Sequence, residues 1–299
     1  GEPADWRWSL TWSPEGDVLA YSRTYEEVAP TRQNVLEVGV MADGAARVVA
    51  TETLRSGAPP TPLPTPAEAP GAPWTDTPQS MFTVLGVWPD RHRILLNRLD
   101  RHEHVEASSL VAVDMATGRL TTVIPEGLGA AYGHCLAVSP DGSQLAGGCF
   151  DGVTLYALDL DRVTLAPPRR YVLPAERSAD DLRWSPDGHG LAFVLRDGMF
   201  NGIAMNAGLG VIVLDPATMQ GREVRPRGDE AAFPGLSFEG TDGAYPDVRL
   251  TGWHADGSAL LLDWDGGSQD APAWVDIADG RVRPTEIDGD WLGWARVAP

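Results

Sequence analysis

The chain has 299 residues and a mass of 32.0 kDa, enough to bury a sizeable core without disulfides. Its 42 acidic residues against 23 basic ones give a formal charge of −19, a field that repels phosphate backbones and anionic lipid and so argues against a nucleic-acid partner. All 23 basic residues are arginine, and 33 glycines and 25 prolines combined with no sustained i, i+3, i+4, i+7 apolar pattern point to an all-β chain rich in turns. The longest apolar runs, residues 211–214 and 259–262, are strand-sized and far short of a membrane span.

Taken in chain order, one phrase recurs. Trp12-Ser13-Pro14-Glu15-Gly16 is followed by a short β-rich run at 18–21, a third strand at 35–40 ending in Asp43-Gly44, and a fourth at 47–51. Residues 57–78 then break the pattern. They are rich in Pro, Thr and Ala, including Pro59-Pro60-Thr61-Pro62, and read as an extended polyproline II or disordered insertion carrying Trp74. A degraded phrase, Val87-Trp88-Pro89-Asp90-Arg91, starts the second unit, with strands at 94–97, 110–113 and 119–124. Val138-Ser139-Pro140-Asp141-Gly142 starts the third (144–147, 154–158, 170–173) and Trp184-Ser185-Pro186-Asp187-Gly188 the fourth (191–195, 211–214, 222–225). The fifth opens at Trp253-His254-Ala255-Asp256-Gly257 (259–263, 273–277, 281–286). Each phrase predicts a hairpin, because glycine supplies the positive φ of the tight turn and proline closes the incoming strand. Four antiparallel strands repeated five times, with insertions, predict a β-propeller forming a single domain over residues 1–299.

The Trp-Ser-Pro-Asp-Gly phrase, followed by strands such as Leu191-Ala192-Phe193-Val194 and Leu155-Tyr156-Ala157-Leu158-Asp159, resembles the WD-like repeat of the TolB-type propellers over nearly the whole chain. Val87 and Arg91 in the second copy, and His254 and Ala255 in the fifth, depart from it. The resemblance implies a propeller fold but not one function, since related blades serve as partner-binding rings, periplasmic or cell-surface scaffolds and peptidase propellers. At the end, Leu292-Gly293-Trp294 echoes Thr251-Gly252-Trp253 as a sixth first strand. Both a five-bladed ring with a closing strand and a six-bladed ring completed by another chain satisfy this, and the second would give self-association through the exposed edge.

The insertions at 23–33, 54–80, 98–108, 196–208, 227–247 and 263–272 all fall on the same set of connections, so one face is expected to bind partners. Its candidate contact residues are Arg23, Tyr25, Trp74, Arg98, His102, His104, Arg196, Phe200, Phe233 and Phe238, joined by Trp291 and Trp294 at the end. Cys135 and Cys149 stand seven residues to either side of Gly142, which in a regular hairpin places them face to face. A disulfide and two buried thiols both fit, a bulge deciding between them, and the disulfide would imply an extracytoplasmic protein, whether periplasmic, secreted or at the cell surface. No nucleotide motif stands out, and the nearest string to a hydrolase elbow, Gly266-Gly267-Ser268-Gln269-Asp270, lacks the final glycine. His102-Glu103-His104 lacks further ligands for a metal, and Asp263, Asp265 and Asp270 resemble only the opening of a calcium loop. No cofactor is therefore expected, calcium being the one considered.

The reading that follows is a non-enzymatic extracytoplasmic propeller that binds a protein or surface polymer, or forms part of a larger assembly. The alternative is a propeller enzyme or metal-dependent small-ligand binder, with an acidic site at the central pore built from Asp180, Asp181, Asp247 and Asp290 with His134, where paired carboxylates bind a cation or do acid/base work.

Overall fold

The computed structural model describes residues 7–13, 16–27, 33–55, 79–88, 92–102, 105–124, 135–149, 152–159, 164–165, 168–174, 177–197, 208–227, 247–265 and 272–285. Among them there is no α-helix, and 21 strands form five antiparallel sheets. Sheet one runs β1 (Arg7–Trp12), β2 (Val18–Glu27), β3 (Gln33–Ala42), β4 (Ala45–Arg55), and sheet two β5 (Gln79–Val87), β6 (Arg93–His102), β7 (Val105–Asp114), β8 (Leu120–Ile124). Sheet three comprises β9 (Leu136–Val138), β10 (Gln144–Cys149) and β11 (Gly152–Asp159); its fourth place is split between β12 (Thr164–Leu165) and β13 (Arg169–Val172), which pair with opposite ends of β11. Sheet four is β14 (Arg177–Trp184), β15 (Leu191–Asp197), β16 (Gly208–Asp215), β17 (Gln220–Val224), and sheet five β18 (Asp247–Trp253), β19 (Ala259–Asp265), β20 (Ala273–Asp276), β21 (Val282–Pro284). Strand order follows chain order in sheets one, two, four and five. The fold class is all-β, of the β-propeller type, as the repeat phrase predicts.

The repeat residues make the hairpins. Ser185 Oγ donates to Asp187 Oδ1 at 2.6 Å and accepts the Gly190 N–H at 2.7 Å, and Ser139 does the same with Asp141 (2.6 Å) and Gln144 (2.9 Å). The glycine that ends the phrase lies at φ 72–74° at Gly16, Gly142, Gly188 and Gly257, a region closed to most side chains. In sheet five His254 takes the place of serine and holds Asp256 Oδ1 from Nδ1 at 2.7 Å. The turns from third to fourth strand rest on Asp114 and Asp215, whose carboxylates accept the N–H and hydroxyl of Thr117 and Thr218.

The chain divides into two compact units, residues 1–11 with 17–130, and residues 12–16 with 131–299. In the first, the core lies between sheets one and two: Ala20, Leu36, Val38 and Val40 meet Phe82, Val84, Ile94, Leu96 and Val113. In the second, sheet four is buried on both faces. Leu191, Phe193, Ile212 and Leu214 pack on Ala146, Val153 and Leu155 of sheet three, while Ala192, Val194 and Val211 pack on Val248, Leu250, Leu260 and Leu262 of sheet five. A strand apolar on both faces reads as a continuous run, which is why Leu191-Ala192-Phe193-Val194 shows no alternation.

Two sequence expectations are corrected by the pairing. Of the expected insertions 23–33 and 98–108, the described residues are paired strands rather than loops: β2 and β3 pair out to Glu27↔Gln33, and β6 and β7 out to His102↔Val105. Their polar composition hid the strands. The two cysteines do not stand directly opposite one another. β9 and β10 pair Leu136↔Gly147 while β10 and β11 pair Cys149↔Gly152, one residue away from the register that equal spacing about Gly142 demands, because the turn is not centred on that glycine.

Candidate functional site

Consecutive sheets within each unit are stitched at fixed repeat positions. The indole N–H of Trp184 donates to Ala137 O at 3.1 Å and that of Trp253 to Arg183 O at 2.9 Å, so each tryptophan reaches the residue just before the equivalent position of the preceding sheet. Three residues before that position, the first strand carries a bulge, at Val84/Gly86, Asp180/Arg183 and Leu250/Gly252. A bulge leaves an amide without its ladder partner, and a side chain from the preceding sheet takes it: Val84 N–H donates to Ser9 Oγ at 3.1 Å, and Leu250 N–H to Asp181 Oδ2 at 3.3 Å. Ser9 and Asp181 occupy the same place in the repeat, as does Cys135 in sheet three.

At sheet four this device is elaborated into a charged cluster. The Asp181 N–H is received by Asp180 Oδ1 at 2.9 Å, and the Cys135 thiol lies 3.6 Å from that same oxygen. Asp180 Oδ2 accepts from Arg196 Nε at 2.7 Å, and Arg196 Nη2 reaches both Asp181 Oδ2 at 3.5 Å and Val248 O at 3.3 Å. Two carboxylates thus share one guanidinium. The three side chains are mostly buried, with 14%, 13% and 11% exposure for Asp180, Asp181 and Arg196, yet each keeps a solvent-facing strip. Asp181 sits at φ 51°, in the left-handed region, whereas no residue at the other two bulges has positive φ. Holding a non-glycine residue there costs about 1–2 kcal/mol.

The structure therefore brings together four residues that sequence reasoning had placed in three groups: Asp180 and Asp181 as acids, Arg196 as a partner contact, and Cys135 as half of a disulfide. The signal available was positional, since Cys135 and Asp181 both lie three residues before the phrase. The other arginines named from the sequence are engaged within their own unit. Arg23 Nη2 bridges to the buried Glu37 Oε2 at 2.6 Å, where the Tyr21 hydroxyl also donates to Oε1 at 3.4 Å. Burial pushes the Tyr21 phenol up and the Glu37 charge adds to it, Arg23 opposing. Arg98 Nη1 spans both oxygens of Glu52 at 3.0 and 3.1 Å, and the guanidinium carbon Cζ lies 5.9 Å from the centroid of the Phe82 ring.

Tyr25 is placed by its backbone in β2, His102 at the end of β6, Asp247 at the start of β18 and Cys149 at the end of β10. Asp263 and Asp265 belong to β19 rather than to a loop. Trp74, His104, His134, Phe200, Phe233, Phe238, Asp270, Asp290, Trp291 and Trp294, with the 57–78 insertion, lie outside the described residues. Among the described residues, no group of three or more His, Cys, Asp and Glu side chains is arranged to hold a metal ion, and no helix is long and apolar enough to cross a membrane.

No protein-family model matches the chain, and no curated protein matches it. Solved structures do. A putative TolB from Agrobacterium tumefaciens is 13% identical at a TM-score of 0.45, the match covering 93% of this chain and 80% of that one. An oligogalacturonate lyase in complex with manganese is 14% identical at 0.45, covering 92% and 75%. A putative 6-phosphogluconolactonase from Bacteroides uniformis is 13% identical at 0.48, covering 94% and 85%. The chain spans 39% of the length of two peptidases that it also matches. The expectation of a non-enzymatic chain is corrected here: enzymes stand among the structures to which it is similar, at 10–14% identity.

Proposed function

We propose that this propeller binds a small, hydroxyl-rich ligand, neutral or cationic, at Asp180, Asp181 and Arg196, and that the paired carboxylates are available for acid/base work on it. One observation carries the reading. The first-strand bulge of sheet two is capped by a single neutral hydroxyl, from Ser9, so docking one sheet on the next requires neither a charge nor a strained backbone. The sheet-four bulge has two carboxylates, a guanidinium and a left-handed aspartate in addition. Strain of this kind persists where the surroundings enforce it and clusters at ligand sites. Among the described residues two carboxylates face one guanidinium, which favours a cation over an anion, and the alternation of acceptors with guanidinium donors suits vicinal hydroxyls.

The test is a titration of the full chain, followed by NMR, with glucosamine, glucose and galacturonate, each recovered afterwards for mass analysis to detect turnover. Glucosamine is expected to bind most tightly and galacturonate least, and Asp181→Asn is expected to weaken glucosamine at least tenfold. Galacturonate binding tightest, no binding by any of the three, or binding unchanged in Asp181→Asn overturns the reading.

A further inference from the structure

We infer that Arg227 and Arg281 form a clamp for a phosphate dianion, whether the free ion or the terminal monoester of a larger molecule; the inference is independent of the ligand site just proposed. Past β17 the chain crosses to sheet five. The Arg227 N–H donates to Gly280 O at 2.6 Å, its carbonyl accepts the Val282 N–H at 2.9 Å, and Arg227 and Arg281 thereby form a parallel bridge. Residues paired in this way lie about 4.8 Å apart and send their side chains to the same side. Both are exposed, and among the described residues neither guanidinium has an ion pair or a hydrogen bond. Like charges set opposite one another cost stability. The Asp279 carboxylate beside them accepts the Arg281 N–H at 2.9 Å and serves the turn. Other arginines of these fourth strands are engaged: Arg225 with Glu223 at 2.7 Å, Arg283 with Asp276 at 2.6 Å, and Arg169 with Gln144 at 3.1 Å. Docking of the sheets does not require the pair. A Cβ on Gly280 would run into the Arg225 carbonyl, as one on Gly118 would into the Val49 carbonyl, so sheet five meets sheet four as sheet two meets sheet one. Two residues beyond the touching carbonyl, Thr51 stands where Arg227 does, and Arg119 follows Gly118 as Arg281 follows Gly280. Arg227 is therefore an addition at one junction. Two planar guanidinium forks side by side suit an acceptor with two negative charges and three oxygens, whereas a carboxylate neutralises only one fork.

The test is a titration of the full chain with inorganic phosphate, methyl phosphate and acetate at constant ionic strength, read by NMR at the backbone amides of Arg227, Arg281 and Val282. At pH 7.5 saturable shifts are expected with phosphate, and acetate is expected to bind about tenfold more weakly. Methyl phosphate is expected to bind more weakly at pH 5, because the second proton of a phosphate monoester, lost near about pH 6, has returned. Binding of inorganic phosphate alone assigns the clamp to the free ion, and binding of methyl phosphate as well assigns it to the ester; both outcomes support the clamp. Arg227→Thr copies the residue found at the equivalent junction, so it is expected to fold and to weaken phosphate about tenfold, as is Arg281→Gln. Should Arg281→Gln not fold, as judged by thermal melting, Arg227→Thr carries the test. Arg119→Gln removes the arginine that stands in the place of Arg281 beside Thr51, and is expected to leave the affinity unchanged. An equal loss in Arg119→Gln and Arg281→Gln marks an adventitious ion only and overturns the inference. So do shifts that never saturate, a parent-like affinity in Arg227→Thr, and acetate binding as tightly as phosphate. None of these readings touches Asp181, so glucosamine binding can fail while the clamp stands, and the reverse.

Discussion

Ser185 explains why the repeat phrase has its form. Its hydroxyl donates to Asp187 and accepts from the Gly190 amide, its own N–H bonds the Gly190 carbonyl at 2.8 Å, and proline between serine and aspartate restricts the chain to the geometry that lets these bonds close. The aspartates of such turns are held in charged form. The Ser185 hydroxyl and the His189 N–H keep the Asp187 carboxyl below its ordinary range, and the Ser258 hydroxyl and N–H, then His254, do so for Asp256. For Asp141 burial pushes the other way, but the Ser139 and Ser143 bonds outweigh it. A carboxyl lowered in the folded chain contributes stability that is present above the ordinary value of about 3.9 and is lost as pH falls through the folded value. Resistance to urea should therefore be insensitive to these groups from pH 7 down to about 5, and should fall below about 4. Asp187→Asn combined with Asp256→Asn is expected to be less stable at pH 7 and to show a shallower fall in acid. An acid limb of unchanged steepness in that double variant would place the titrating groups elsewhere.

At the scale of elements, what could be read in the sequence was what repeats. The phrase marks its hairpin because a glycine at φ near 73° and a side-chain hub, Ser139, Ser185 or His254, recur at that turn, and strands 191–195 and 259–263 follow it with apolar residues on both faces. What could not be read was what depends on the neighbouring sheet. Arg196 looks like the start of a loop; instead it pairs in β15, which puts Asp180 of the adjacent strand within 2.7 Å, and sheet five packing beside it brings the Val248 carbonyl within 3.3 Å. Likewise the strand segments at 98–102 and 105–108 lack the apolar alternation of a core strand, although they pair with one another in register. The sheet junctions make separable demands that substitutions can weigh. Phe193, fully buried between sheets three and four, should cost about 3–5 kcal/mol as Phe193→Ala, the usual range for deleting a core aromatic. Trp253→Phe keeps most of the buried ring and deletes the bond to Arg183 O, and should cost about 1–2 kcal/mol. Equilibrium urea unfolding of both variants checks the order. A larger loss for Trp253→Phe than for Phe193→Ala would mean that the indole bond, rather than apolar packing, holds consecutive sheets together.

For the whole molecule the decisive quantity is charge. A formal −19 on 299 residues makes the folded chain repel itself at neutral pH, while ion pairs such as Arg23–Glu37, Arg98–Glu52 and Arg196–Asp180 act locally in the other direction. Salt separates the two. Long-range repulsion is screened once the Debye length drops to about 8 Å near physiological ionic strength, whereas partly buried pairs at contact distance are screened much less. The melting temperature at pH 7 should therefore rise between about 0.02 and 0.5 M NaCl, an interval over which the Debye length falls from more than 20 Å to about 4 Å. The increment should shrink as pH approaches the sequence isoelectric point near 4.6, where the repulsion has vanished and only local pairs remain. It should grow again below that, when 23 arginines face few ionised carboxylates. Scanning calorimetry at three pH values and two salt concentrations gives the comparison. A melting temperature that falls with salt at pH 7 would show the local pairs outweighing the net charge, and would move the main electrostatic contribution from the molecule as a whole to the junction that holds Asp180, Asp181 and Arg196.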